Sequence, residues 1–266
     1  VITSVKNPLV KQGRRLHQGK GRRSLQQFLV EGTHLVQEAL TVGHPLAILC
    51  ATPPWQLRYP QLWDQAIASV PRVETVTPEV LAALATTVNP DGVVAIAPYP
   101  TTAFGADRMP PAVPSLGIAV ETLQDPGNLG SLLRTATAAG CDGLWLTPDS
   151  VDPAHPKVLR ASAGQWFRLP QVICPDLVAQ LHQWRAAGCQ VLATGAAGAM
   201  PYWQADLRQP TAVVLGNEGA GLSPGVQAAA TQIVAIPMAA GVESLNVGVA
   251  AAVILFEAQR QRQALV

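Results

Sequence analysis

The sequence predicts two α/β domains, the second built on a parallel sheet, and three observations carry that expectation. Apolar strand-like runs alternate with helical periodicity along the chain. In the C-terminal part these runs are apolar almost without interruption, the pattern of strands covered on both faces. Between the two parts, APYPTTAFGADRMPPAVPS (97–115) holds five prolines and little periodicity, which reads as a linker. The expected boundaries are 1–98, a linker at 99–115, and 116–266. A chain of 266 residues, 48% hydrophobic and 13% charged, is ordered and long enough to bury sizeable cores.

In the first domain, β-like runs fall at 27–30, 46–51, 73–76 and 93–97, with helical stretches at 33–42, 61–69 and 78–86. Thr77-Pro78 fits an N-cap followed by proline at the first helical position. In the second domain, strands are expected at 116–121 (LGIAVE), 143–147 (GLWLT), 190–194 (QVLAT), 211–216 (TAVVLG) and 232–237 (QIVAIP). Helices are expected at about 129–139, 156–166, 176–187, 222–230 and 244–262.

The net charge of +1 conceals an asymmetry. Residues 1–30 carry seven basic side chains and no acidic one: Lys6, Lys11, Arg14, Arg15, Lys20, Arg22 and Arg23. The other 236 residues carry 11 basic and 17 acidic, a net of −6. A basic arm on a mildly acidic body points to a polyanionic partner, with a solvated helix face as the plain alternative. Cys50, Cys141, Cys174 and Cys189 show no close pairing, and the five histidines show no ligand spacing. Buried free thiols in a reducing compartment and no metal site are therefore expected. The basic start lacks an apolar leader, and the longest apolar run, 247–256, is too short to span a bilayer, so no membrane partner and a cytoplasmic location are expected.

Ligands in open parallel sheets bind beyond the carboxyl ends of the strands. Three loops stand at such ends. In ETLQDPGNLGSLLRTATAAG (121–140), Asn128 and Arg134 are six residues apart, about 240° on a helical wheel, so they meet only if Asn128 stays in the turn. In VVLGNEGAGLSP (213–224), Gly216, Gly219 and Gly221 allow close backbone approach around Asn217 and Glu218. The spacing is not the dinucleotide fingerprint, which removes a nucleotide-dependent oxidoreductase. In IPMAAGVESLNVGVAAAVILFEAQRQR (236–262), Ser244 and Asn246 stand at the mouth of an apolar helix, where they suit capping, chemistry, or both.

Taken together, N-x-x-x-x-x-R, L-G-N-E-G-x-G-L and I-P-M-x-x-x-V-E-S-L-N-V resemble the SpoU (TrmH-type) branch of the SPOUT RNA methyltransferases, over about 116–262. KVLRASAGQWFRLP (157–170) is similar to the same family. The resemblance implies a trefoil-knotted α/β domain, a homodimer, S-adenosylmethionine as cofactor and 2′-O-ribose methylation of RNA. RRSLQQFLVEGTHLVQEAL (22–40) resembles the ribosomal-protein-like substrate-binding domain of such enzymes, which favours ribosomal over transfer RNA. A catalytically silent RNA-binding assembly factor is the rival reading. The reactive set then falls on Asn128, Arg134, Glu218, Ser244 and Asn246. Cofactor contacts fall on Thr194, Gly195, Leu215, Gly216, Asn217, Gly219, Ile236, Met238, Ser244 and Leu245. The seven basic residues of the arm would meet RNA. One departure stands out: relatives commonly carry serine where Gly248 lies.

Overall fold

The computed structural model describes residues 1–100, 104, 109–195 and 199–263. The chain divides into two compact units, Val1–Thr101 with Asp152–Phe167, and Thr102–Val151 with Arg168–Val266.

The first unit opens with two helices, α1 (Pro8–Arg15) and α2 (Gly19–Leu25), where the sequence suggested only a charged arm. Asn7 caps α1, accepting the Leu9 N–H at 2.9 Å, and Pro8 occupies the first turn, where its missing N–H costs nothing. Leu9 and Val10 are buried in the same apolar cluster as Val80, Leu81 and Leu84, so the basic residues of α1 are driven outward. There follow β1 (Gln27–Glu31), α3 (Thr33–Thr41), β2 (Ile48–Ala51), α4 (Pro53–Arg58), α5 (Pro60–Ser69), β3 (Arg72–Thr75), α6 (Pro78–Leu84) and β4 (Val93–Pro98). The sheet order is β1-β4-β2-β3, with β2 and β3 parallel and the other pairs antiparallel.

The second unit holds β5 (Leu116–Val120), α7 (Pro126–Ala138) and β6 (Gly143–Leu146). After the excursion through α8 (Pro156–Ala161) it resumes with β7 (Gln171–Ile173), α9 (Leu177–Ala186), β8 (Gln190–Thr194), β9 (Met200–Pro201), β10 (Thr211–Leu215), α10 (Pro224–Ala229), β11 (Gln232–Ala235) and α11 (Val247–Gln263). The order is β7-β6-β5-β10-β8-β11-β9, parallel at every pairing, as the near-continuous apolar runs predict. β5, β6 and β10 are buried along their whole length. Short β7 and β9 escaped the sequence reading. Residues 101–103 and 105–108 of the expected linker lie outside the described residues.

Asp152–Phe167 packs with the first unit although it falls within 116–266. Its Trp166 is fully buried, 5.1 Å from the Phe28 ring, and its indole N–H donates to the Pro153 carbonyl at 2.9 Å. Asp152 accepts from Arg22 through Nε at 2.9 Å and Nη2 at 2.7 Å, and from the Tyr99 hydroxyl at 3.0 Å. Burial, then the neighbouring Asp152 carboxylate, pushes the Tyr99 hydroxyl pKa up. Arg160 reaches Glu31 at 3.3 Å and donates to the Thr86 hydroxyl at 2.8 Å. Apolar burial and two ion pairs outweigh sequence proximity here.

Candidate active site

The loops leaving β5, β8, β10 and β11 carry the site. After β5, Thr122 adopts φ 56°, a left-handed conformation rare for a β-branched residue. Each of its polar groups is tied. The N–H donates to Thr147 Oγ1 at 2.8 Å, the hydroxyl donates to Asp149 Oδ2 at 2.7 Å, and the carbonyl accepts from Asn217 Nδ2 at 2.8 Å. The hydroxyls of Thr122 and then Thr147 hold the Asp149 carboxyl below its ordinary value.

Asn217 thereby joins the β5 loop to the glycine-rich loop after β10. Its Oδ1 accepts the N–H groups of Gly219 at 2.9 Å and Ala220 at 3.0 Å, and its backbone pairs with Gly221 in both directions at 3.0 Å. A Cβ on Gly216 would overlap the backbone of Gly221 and Leu222, so glycine there is a packing requirement. The side chain of Asn217 thus shapes the loop and ties up much of its backbone.

A line of side chains runs from this loop to the mouth of α11. Asp125 caps α7 by accepting the Asn128 N–H at 2.9 Å, which places Asn128 third in the helix. Asn128 Nδ2 donates to Glu218 Oε1 at 2.9 Å, and its Oδ1 accepts from Asn246 Nδ2 at 2.8 Å. Asn246 Oδ1 accepts the Gly248 N–H at 2.9 Å and the Val249 N–H at 3.4 Å. Backbone N–H groups can only donate, so they fix the orientation of Asn246, which fixes Asn128, which leaves Glu218 as the acceptor. The helix expected from 244 begins at Val247, and Asn246 alone is its cap. Ser244 is exposed and does not cap.

Beside that mouth lies a cleft of about 540 Å³. Thr194 and Gly195 at the end of β8, Ile236 and Met238 beyond β11, and Ser244 and Leu245 before α11 all line it. The Thr194 hydroxyl is tied to the Val214 carbonyl at 3.1 Å, and the Gly195 N–H to Val234 at 2.9 Å. Val234, Val242, Ala250 and Ile254 supply apolar wall, and Glu243, which the sequence reading passed over, supplies a carboxylate. Leu215, Gly216, Asn217 and Gly219 are not among the lining residues. Residues 196–198, next to Gly195, lie outside the described residues.

Arg134 stands apart from the line of amides. With Asn128 inside α7 and not in the turn, the two are about 240° apart around the helix and roughly 9 Å apart along it. Arg134 is exposed and makes no hydrogen bond or ion pair among the described residues. Of the basic arm, Lys6, Lys11, Arg14, Arg15, Lys20 and Arg23 are exposed. Arg22 is not an RNA-facing residue: it is 2% exposed, bound to Asp152, and donates from Nη1 to the Leu16 and His17 carbonyls at 3.1 and 3.3 Å. No cluster able to hold a metal ion occurs among the described residues, and no helix among them is long and apolar enough to cross a membrane.

Comparison with known proteins matches residues 115–256 to the SpoU rRNA methylase family and residues 7–95 to an MRM3-like substrate-binding domain. The chain is 48% identical to an uncharacterized tRNA/rRNA methyltransferase of Synechocystis, over 99% of its own length and 94% of the relative's. It is 31% identical to the 23S rRNA (guanosine(2553)-2′-O)-methyltransferase RlmP of Bacillus subtilis, over 96% and 97% of the two chains. The crystal structure of an AdoMet-bound rRNA methyltransferase from Sinorhizobium meliloti is similar with a TM-score of 0.85 and 33% identity, over 97% of each chain.

Proposed function

The chain belongs to the SpoU rRNA methylase family, and we propose that it transfers the methyl group of S-adenosylmethionine to a ribose 2′-hydroxyl of ribosomal RNA. One observation carries this reading. Within three residues, Ser244 and Leu245 line the cleft while Asn246 enters the line of amides, so the donor pocket and a polar, oriented surface share one short segment. The cleft fits the donor: its volume lies in the range of small-molecule sites, its walls are apolar, and hydroxyls and strand-end backbone supply polar contacts. When bound, S-adenosylmethionine supplies an electrophilic methyl group on a positively charged sulfur.

The residues of the chain do the positioning. The loops hold donor and acceptor in line, where alignment provides much of the acceleration. The amides of Asn246 and Asn128, fixed end to end, present a constant pattern to the incoming ribose. Glu218 is engaged by Asn128 and braces that line. Arg134, exposed and unpaired, suits a phosphate clamp that orients the ribose and favours loss of the hydroxyl proton. Abstraction by the guanidinium itself is chemically unfavourable, since its pKa lies above about 12.

The exposed basic residues of α1 and α2 would hold RNA through phosphates, with strong salt dependence and little sequence information. Ribosomal RNA is preferred over transfer RNA because the Bacillus relative is named for a 23S target and the first unit matches a substrate-binding domain. A homodimer and the knotted topology of the branch belong to the same reading. For the dimer, Val249 and Phe256 project from α11 at 50% and 46% exposure, an apolar stripe that calls for cover. A cytoplasmic location accords with rRNA as substrate.

The test is incubation of total RNA with labelled S-adenosylmethionine, followed by mapping of alkali-resistant linkages, because a methylated 2′-hydroxyl blocks cleavage there. Label in ribosomal RNA at such a linkage is expected. Label confined to bases, or none, would overturn the reading.

A further inference from the structure

Glu243 is the sole ionisable side chain among the described residues lining the cleft. Other carboxylates of this unit are occupied. Glu218 accepts from Asn128, Glu121 accepts the Ser223 N–H at 2.7 Å, and Glu257 is bound by Arg260 at 2.7 Å. Glu243 has no hydrogen bond and no ion pair among the described residues. An anion without a cationic partner among the described residues therefore lines a cleft whose other side chains are apolar or neutral.

The two ligands that such a site must tell apart differ in charge. S-adenosylmethionine carries a carboxylate, an ammonium and a sulfonium, a net of +1. Loss of the methyl group leaves the C–S electron pair on sulfur, so the thioether product, S-adenosylhomocysteine, has a net charge of zero. The apolar walls see nearly the same molecule in both cases. We propose that Glu243 is the charge-reading residue of the cleft, favouring the sulfonium donor over the neutral thioether and so opposing product inhibition. The proposal rests on the methyl-transfer reading and adds to it a residue that selects the ligand without touching the reacting oxygen.

Calorimetric titration of the full-length protein with each nucleoside tests it, for wild type, Glu243→Gln and Glu243→Asp, at low and high salt. Because Glu243 is exposed, a modest effect is expected: roughly three- to tenfold weaker binding of S-adenosylmethionine in Glu243→Gln, with S-adenosylhomocysteine changed less than about twofold. Glu243→Asp should keep the preference, and high salt should compress the wild-type ratio toward that of Glu243→Gln. Equal weakening for both ligands would mark a structural role and overturn the proposal, as would an unchanged ratio. Wild-type protein that binds neither nucleoside would instead overturn the methyl-transfer reading, and the proposal with it.

Discussion

Replacing Asn128 by aspartate tests the line of amides at its centre. In the wild type, Asn128 gives a proton to Glu218 at 2.9 Å and takes one from Asn246 at 2.8 Å. Asn128→Asp keeps the acceptor and turns the donor into a second carboxylate. Two unit charges at that separation repel by about 1.4 kcal/mol in the dielectric of water and about 6 kcal/mol at an effective constant of 20. The exposed position selects the lower end. Loss of a charge-assisted hydrogen bond adds about 1.5 kcal/mol, and a stronger bond from Asn246 returns about 1 kcal/mol. The expected deficit at neutral pH is about 2 kcal/mol. Its pH dependence is the diagnostic part. Protonating either carboxyl of the variant restores a donor between the two side chains, so the deficit is present above the carboxylate range and shrinks as pH falls through it. Asn128→Ala loses both bonds without creating repulsion, and its deficit of about 2 kcal/mol should vary less with pH. Guanidinium unfolding of wild type and both variants across the acid range measures this. A pH-independent deficit in Asn128→Asp would refute the ordered line of donors and acceptors.

Other substitutions probe the remaining parts. Arg134→Ala should lower methyl transfer by orders of magnitude while leaving unfolding and S-adenosylmethionine binding near wild type; wild-type turnover would remove Arg134 from the mechanism. Arg22→Ala should lower stability by about 3 kcal/mol, because it takes away the only cationic partner of the Asp152 carboxylate among the described residues, whereas Arg14→Ala and Arg15→Ala should cost under about 0.5 kcal/mol and flatten the salt dependence of RNA binding. Thermal melts and binding titrations would expose the reverse pattern. Thr122→Ala removes the larger of two hydroxyl contacts on Asp149, whose depressed pKa contributes stability above its unfolded value and loses that contribution as pH falls through the folded one. The gap to wild type should therefore narrow in acid, and a gap that widens there would contradict the assignment. Phe256→Asp, placed on the exposed stripe of α11, should shift light-scattering mass from two chains toward one; an unchanged mass would exclude that stripe as the dimer contact.

What could be read from the chain alone follows physical range. The parallel sheet was legible because burial on both faces writes itself into each strand, as in TAVVL (211–215) and LGIAV (116–120). The basic arm was legible as charge and illegible as structure. Arg22 looks like its neighbours until Asp152, 130 residues away, buries it. Thr122 carries no signal at all, since nothing local marks a β-branched residue for a left-handed turn; Thr147, Asp149 and Asn217 impose it from elsewhere in the chain. At the mouth of α11 the sequence offered two caps, Ser244 and Asn246. The choice fell to the one that also reaches Asn128, 118 residues earlier. Glu243 sat inside a recognised motif and was missed because its significance lies in what surrounds it.

Gly248 draws these strands together. A glycine in a helix costs about 1 kcal/mol relative to alanine, and local propensity alone would select against it. At this position a Cβ would stand 3.2 Å from Asn246 Oδ1 and 3.3 Å from Ser131 Cβ, tighter than ordinary contact. Asn246 Oδ1 is the atom that accepts the Gly248 N–H and so orients the whole line to Glu218. Any side chain at 248 thus presses on the atom that sets the direction of two amides, unless Ser131 or Asn246 yields. Glycine at 248 is in the fold a way of letting α7 and α11 approach while Asn246 stays in register. The helix gives up propensity at one residue, and the polar line beside the cleft keeps its geometry.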